Sequence, residues 1–351
     1  MEGSIKPLSR LPILPLEILK RHHVHEPTDS RFRASARLLQ ALWRDRHGFP
    51  IGYHVNRTTG GRRRLGSRLH PTAAQAGANF YSPEVAGLVR RELVYREEGA
   101  FIESHRLYEN LLSSQPLCFN LFGPMKLDLS LAQAFFSKLL PDLVHDVEAI
   151  EFEHSPGRGD SRYTEDNTAF DVFVRCRTPS RARAFVAIEM KYSESMQAAP
   201  SAHRARYDQI AAETGAFVDP GAPALRVAPL QQLWREHLLS LTMQADEAPY
   251  TGGCLLLIAP SLNSGCAGAA QLYLRHLQER PNCPPGFRFI ALEDCIRTLS
   301  EVGGEPLCAW LFERYLDFAP VATMVEDWLA HPPSAPPDKG RTVKPHKART
   351  K

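Results

Sequence analysis

Two short apolar runs, Ala169 to Arg175 and Ala184 to Tyr192, flank the turn-prone stretch CRTPSRAR, and nothing else in the chain limits its fold as tightly. Runs of this length bounded by turn residues read as strands, and the brief connection makes them an antiparallel hairpin. Both are apolar enough for a sheet interior, yet both carry charge. Asp171 stands amid Phe170, Val172, Phe173 and Val174, and Glu189 and Lys191 follow Phe185, Val186, Ala187 and Ile188. Side chains alternate across a strand, so Glu189 and Lys191 project together while Ile188, Met190 and Tyr192 face the other way.

A lone charge in such a strand is costly and needs compensation. One solution is an ion pair of Lys191 with Asp171 or Glu189 that serves the fold alone. Another is chemical, because in a hairpin the two carboxylates can meet across the strands. With a backbone carbonyl such as that of Met190 they form an all-oxygen set that suits a hard divalent cation, Mg2+ or Mn2+, and not zinc. A lysine beside that ion can orient or deprotonate an attacking water, or stabilise the negative charge that builds on a phosphate.

The neighbouring stretches give this hairpin a setting. Leu127 to Leu140 has apolar residues at helical spacing and is stopped by Pro141. VHDVEAIEFE reads as a strand ending at His154-Ser155-Pro156-Gly157, Leu230 to Met243 as a helix, and Gly253 to Ala259 as a buried strand. The order is helix, three strands, helix, strand, within an α/β segment over residues 116–330. Residues 1–115 are basic and largely helical, with helices expected at Ser30 to Arg46 and Ser82 to Glu97 and a loop, GYHVNRTTGGRRRLGSRL, between them. Residues 331–351, rich in Pro, Lys and Arg, are expected to be a disordered basic tail.

That order, with FDVFV supplying an aspartate and IEMKY an E-x-K element, resembles the PD-(D/E)XK superfamily, the restriction-endonuclease-like fold. CFNLFGPM, IEFEHSPGR, DNTAFDVFV, IEMKYSES and the NRTTGGRRRLGSRL loop are similar to a bacterial group of such proteins, across roughly residues 56–260. The resemblance implies an αβββαβ core, a mixed central sheet flanked by helices. It implies that Asp171 and Glu189 bind a metal and that Lys191 assists hydrolysis of phosphodiester bonds, in DNA before RNA. One departure stands out: many members present a glutamate from the first core helix, where this chain offers Gln133 or Asp128. Glu153 is the candidate substitute as a metal ligand, with Glu151 of the same parity beside it.

Further candidates each have a plain alternative. Tyr192 and Glu194 follow the motif; Glu194 continues the parity of Glu189 and Lys191, and reads as a ligand for a second metal, a partner that orients Lys191, or a surface acid. Gln232 and Arg235, one helical turn apart, can reach a substrate phosphate; Gln231 and Arg235 are the rival pair, and an ordinary amphipathic face is the third reading. Asp160 and Asp166 lie on the loop into the Asp171 strand, a place for either solvated acids or substrate contacts. His22, His23 and His25 read as surface histidines, and LNSGCAG lacks the lysine of a phosphate-binding loop.

Composition sets the remaining bounds. The chain has 351 residues, 43% hydrophobic and 23% charged, and this suits a globular protein with a sizeable core. A net charge of +3 does not by itself announce a polyanionic partner. Distribution says more: Arg57, Arg62, Arg63, Arg64 and Arg68 form one basic run and the tail another, each a solvated surface or a set of nucleic-acid phosphate contacts. Seven scattered cysteines without a C-x-x-C pair argue against a disulfide framework and a zinc site. Pro12 and Pro15 break the opening apolar patch and later runs are strand-sized, so no membrane partner and a cytoplasmic location are expected. A homodimer is left open. The rival functional readings are a nucleic-acid-binding protein on the same fold without turnover, and an unrelated α/β enzyme in which Asp171, Glu189 and Lys191 form a structural ion pair.

Overall fold

The computed structural model describes residues 10–56, 58–243, 250–279 and 285–331; Arg57, Cys283 and the expected tail from 332 onward lie outside them. The chain opens with α1 (Leu16–Arg21) and α2 (Arg31–Arg46), the latter capped by Ser30, whose side chain accepts from the Arg33 N–H at 3.2 Å. The stretch expected to be a loop is instead an antiparallel hairpin of β1 (Ile51–Val55) and β2 (Arg62–Leu69). Asn56 closes its turn by accepting from the Thr58 and Thr59 N–H groups. The outer half of the ribbon is exposed and arginine-rich, so it leaves no apolar alternation to read. Where the inner half meets the body only glycine fits at position 66: a Cβ there would sit 2.2 Å from the His22 carbonyl oxygen. Two helices follow, α3 (Pro71–Gln75) and α4 (Pro83–Val94).

The core then begins with α5 (Ser114–Leu127) and α6 (Leu129–Leu139), separated by Asp128, whose carboxylate caps α6 by accepting from the Ser130 and Leu131 N–H groups. Three antiparallel strands come next: β3 (Asp146–His154), β4 (Phe170–Arg177) and β5 (Arg183–Met190). After α7 (Ala205–Thr214) and α8 (Gln231–Thr242), β6 (Gly252–Ala259) adds to β5 in parallel; beyond α9 (Ser264–Leu274), β7 (Gly286–Ala291) adds to β6 in the same sense. The sheet is therefore mixed, in the order β3-β4-β5-β6-β7. Helices α10 (Leu292–Ser300), α11 (Glu305–Tyr315) and α12 (Ala319–Ala330) close the described chain.

Alternation divides the sheet between two cores. Val172, Val186, Ile188, Met190 and Tyr192 pack with α2, α4, α5 and α11 on one face. Phe173, Phe185, Ala187 and Leu255 pack with α7, α8 and α9 on the other. Residues before 115 thus contribute to the same apolar cluster as the sheet, through Leu38 and Leu39 of α2 and Leu88 of α4. Six cysteines among the described residues are buried and unbridged, as small apolar fillers. No described helix is long and apolar enough to cross a membrane.

Candidate active site

Strand register brings three acids into a row. Phe152 pairs with Val172 and His154 with Phe170, so Glu153 lies opposite Asp171; Val172 pairs with Ile188, so one step on Asp171 lies opposite Glu189. Such neighbours have Cβ atoms about 4.5–5.5 Å apart. Lys191 follows Glu189 on the same face, its Nζ 2.6 Å from Glu189 Oε1. Asp171 is fixed from the adjacent strand by the Met190 N–H, which donates to Oδ2 at 2.8 Å. Glu153 adopts a left-handed backbone (φ 52°) and its carbonyl accepts from Arg158. A non-glycine residue is uncommon there; among the described residues His23, Glu165 and Arg181 share that conformation.

These groups line a polar cavity of about 270 Å³ at the end of the sheet. Helix α8 forms one wall. Gln232 Nε2 donates to Glu189 Oε1 at 2.7 Å and to Glu236 Oε1 at 2.9 Å, and Glu236 itself lines the cavity. Helix α5 forms the opposite wall through Gln115, which donates to Glu153 Oε1 at 3.5 Å. The loop from 155 to 169 is pinned by Asp166, which accepts from Thr164, Thr168, Tyr207 and Arg235. Burial alone would raise the Asp166 carboxyl, but the Tyr207 and Thr168 hydrogen bonds and the Arg235 charge bring it down to about 2.

The acids in the row behave in the opposite way. Burial and the nearby Glu189 carboxylate push Glu153 up to about 7. Asp171 is raised well above the usual carboxylate range by burial, Glu189 and Glu153, against the opposing pull of Lys191 and the Met190 N–H. Burial and Glu189 raise Glu236 likewise. Burial would lower Lys191, yet Glu189 and Asp171 outweigh it and raise its pKa, so the side chain is an ammonium at neutral pH. The cavity therefore gathers more acidic groups than its one directly paired lysine can keep ionised, and burial with mutual repulsion holds protons on them.

Other residues singled out in the sequence fall into place around this site or away from it. Gln232 joins it. Arg235 reaches the wall, but four donations to Asp166, Thr168 and Ser201 bind it there rather than leave its fork for a phosphate. Gln231 clamps the Ser201 backbone from both sides. Tyr192, just past the end of β5, lies fully buried on the opposite face, where its hydroxyl accepts from Gln40. Glu194 is bound to the start of α5, accepting from the Ser114 N–H and hydroxyl and from the Tyr192 N–H, so it caps a helix instead of facing the cavity. Glu151 pairs with Arg175, Asp160 with Arg162, and Asp128 caps α6 while Gln133 is exposed. Arg62, Arg63 and Arg64 sit on the exposed ribbon, with Arg63 paired to Glu26 and Arg62 over the Tyr53 ring. Sequence reasoning missed Glu236, Gln115, Arg106 and Arg158. The first is masked by an ordinary amphipathic pattern; Gln115 opens a helix hidden by Pro116 and Pro124; Arg106 lies in a single π-helical turn, His105–Glu109, and Arg158 in a loop.

The donor set fits a hard divalent ion: carboxylate oxygens in excess, with no histidine or cysteine among the cavity's lining residues. Among the described residues no three or more His, Cys, Asp or Glu side chains are placed together so as to hold a metal ion. Lys191 and Gln232 occupy Glu189 instead. A family model described as the PD-(D/E)XK nuclease superfamily matches residues 27–317. No curated protein and no solved structure matches the chain.

Proposed function

The chain belongs to the PD-(D/E)XK nuclease superfamily, and from that premise and the cavity's chemistry we propose that it is a divalent-metal-dependent nuclease acting on DNA. The observation that carries this reading is the cross-strand row of Glu153, Asp171 and Glu189 with the Lys191 ammonium beside it. Asp171 and Glu189 would hold the ion, with Glu153 and the Met190 carbonyl as further oxygen donors. When bound, Mg2+ or Mn2+ supplies a Lewis acid for a phosphoryl oxygen and lowers the pKa of a coordinated water.

The chain's own groups take the remaining tasks. Lys191 is held protonated, so it acts as a cation placed where charge develops on the phosphate, rather than as the base that deprotonates water. Gln232 fixes the Glu189 carboxylate in orientation. Arg106, half-exposed in the cavity with its carboxylate partners at 3.8–3.9 Å, is the cation best placed to contact a substrate phosphate. Arg62, Arg63 and Arg64 of β2, with Arg57 close to them in sequence, would grip backbone phosphates of the nucleic acid. In a supercoiled-plasmid nicking assay with Mg2+, the wild type is expected to cleave and Lys191→Ala to lose about 10²–10⁴-fold in rate. Equal cleavage by the two, or by the wild type with and without the metal, would remove this reading.

A further inference from the structure

Glu236 is the buried acid that the reading above leaves without a task. It rises from α8 into the cavity wall, is 3% exposed, and its Oε2 has no hydrogen-bond partner among the described residues. Its Oε1 shares the Gln232 amide with Glu189, so one donor ties the two carboxylates together.

Glu189, by contrast, is over-committed. Its Oε1 accepts from both Lys191 and Gln232, and on the proposed reading the same carboxylate also holds an ion. Lys191 and a divalent ion carry like charge and compete for it. An ammonium displaced within the protein interior needs another anion. Asp171 is committed to the ion and Glu194 to the start of α5. Of the acids lining the cavity, Glu236 is the one with a buried oxygen left bare.

We propose that Glu236 is the second anchor of Lys191: with Asp171 and Glu189 turned to an ion, the lysine ammonium passes from Glu189 to Glu236 Oε2 as the Glu236 carboxyl gives up its proton to solvent, and the Gln232 amide, already shared, lets the two carboxylates exchange partners. Glu236 is thus a positioning residue acting through Lys191, an inference that rests on the nuclease reading. The Lys191 charge already opposes the raised pKa of Glu236, as expected of groups in electrostatic reach.

The test is a double-mutant cycle read by calorimetric Mn2+ affinity without nucleic acid, using wild type, Glu236→Gln, Lys191→Met and the double variant. Glu236→Gln should weaken Mn2+ binding about tenfold, because Lys191 then stays on Glu189, and should change it less than about twofold once Lys191 is gone. Glu236→Asp, which keeps the charge on a shorter arm, should restore part of the affinity; melting curves check that each variant is folded. An equal loss in both backgrounds, no loss in either, or no rescue by aspartate overturns the proposal. If nicking persists while the cycle is flat, only this inference falls; a wild type that binds no Mn2+ removes the nuclease reading with it.

Discussion

Glu153 combines a strained backbone, a carboxyl pushed up to about 7 and a place in the acid row. Its folded pKa stands above its ordinary 4.5, so the folded chain keeps a proton that the unfolded chain has lost between those values. The stability this confers is complete below pH 4.5 and disappears as pH rises through about 7. At 1.36 kcal/mol per unit the loss from this group is at most about 3 kcal/mol. Melting temperature without divalent ions should therefore fall from pH 5 to pH 8, and Glu153→Gln should flatten part of that fall. Saturating Mg2+ at pH 8 should recover it, since the ion takes over the proton's work. A wild-type melting temperature that rises over this range, with an unaltered slope in the variant, would contradict the electrostatics of the row.

At the scale of elements, the site is made where α5, α8 and the 155–169 loop meet the end of β3-β4-β5, and Glu194 shows how position can mislead. Parity made it a candidate for the site; the backbone turns after Met190, and the carboxylate instead anchors the first turn of α5. Glu194→Ala should cost about 1 kcal/mol in chemical denaturation, as for other lost helix caps, and leave nicking per folded molecule within a few-fold of wild type. A thousandfold loss of nicking with unchanged stability would return Glu194 to the site. Strands β4, β5 and β6 were legible because they are buried almost throughout and read as short, largely apolar runs. The β1-β2 ribbon was not, because arginines occupy both of its faces toward the tip and strand pairing there is backbone work. Helix α5 was hidden by its prolines, one in the first turn and one near the last, where neither breaks the helix. Asp171, Glu189 and Lys191 stood out as charges in apolar surroundings; Glu236 did not, since a glutamate in an amphipathic helix looks solvated until the fold buries it.

At the scale of the molecule, residues on both sides of the sheet segment complete one core. Arg314 of α11 is fully buried, donates to the Asn79 carbonyl at 2.8 Å and lies over the Trp43 and Trp310 rings, joining the end of the described chain to its beginning. This shared body holds the sheet end rigid enough for acids from three strands and a helix to face one cavity. The measurement closest to that arrangement is calorimetric titration of Mn2+ at pH 7 in buffers of differing ionisation enthalpy, comparing wild type with Asp171→Asn. The wild type should bind the ion and release protons, because Asp171 and Glu153 must ionise to bind it, and the variant should bind at least about tenfold more weakly. No wild-type binding, or equal affinity and proton release in the variant, would contradict the account.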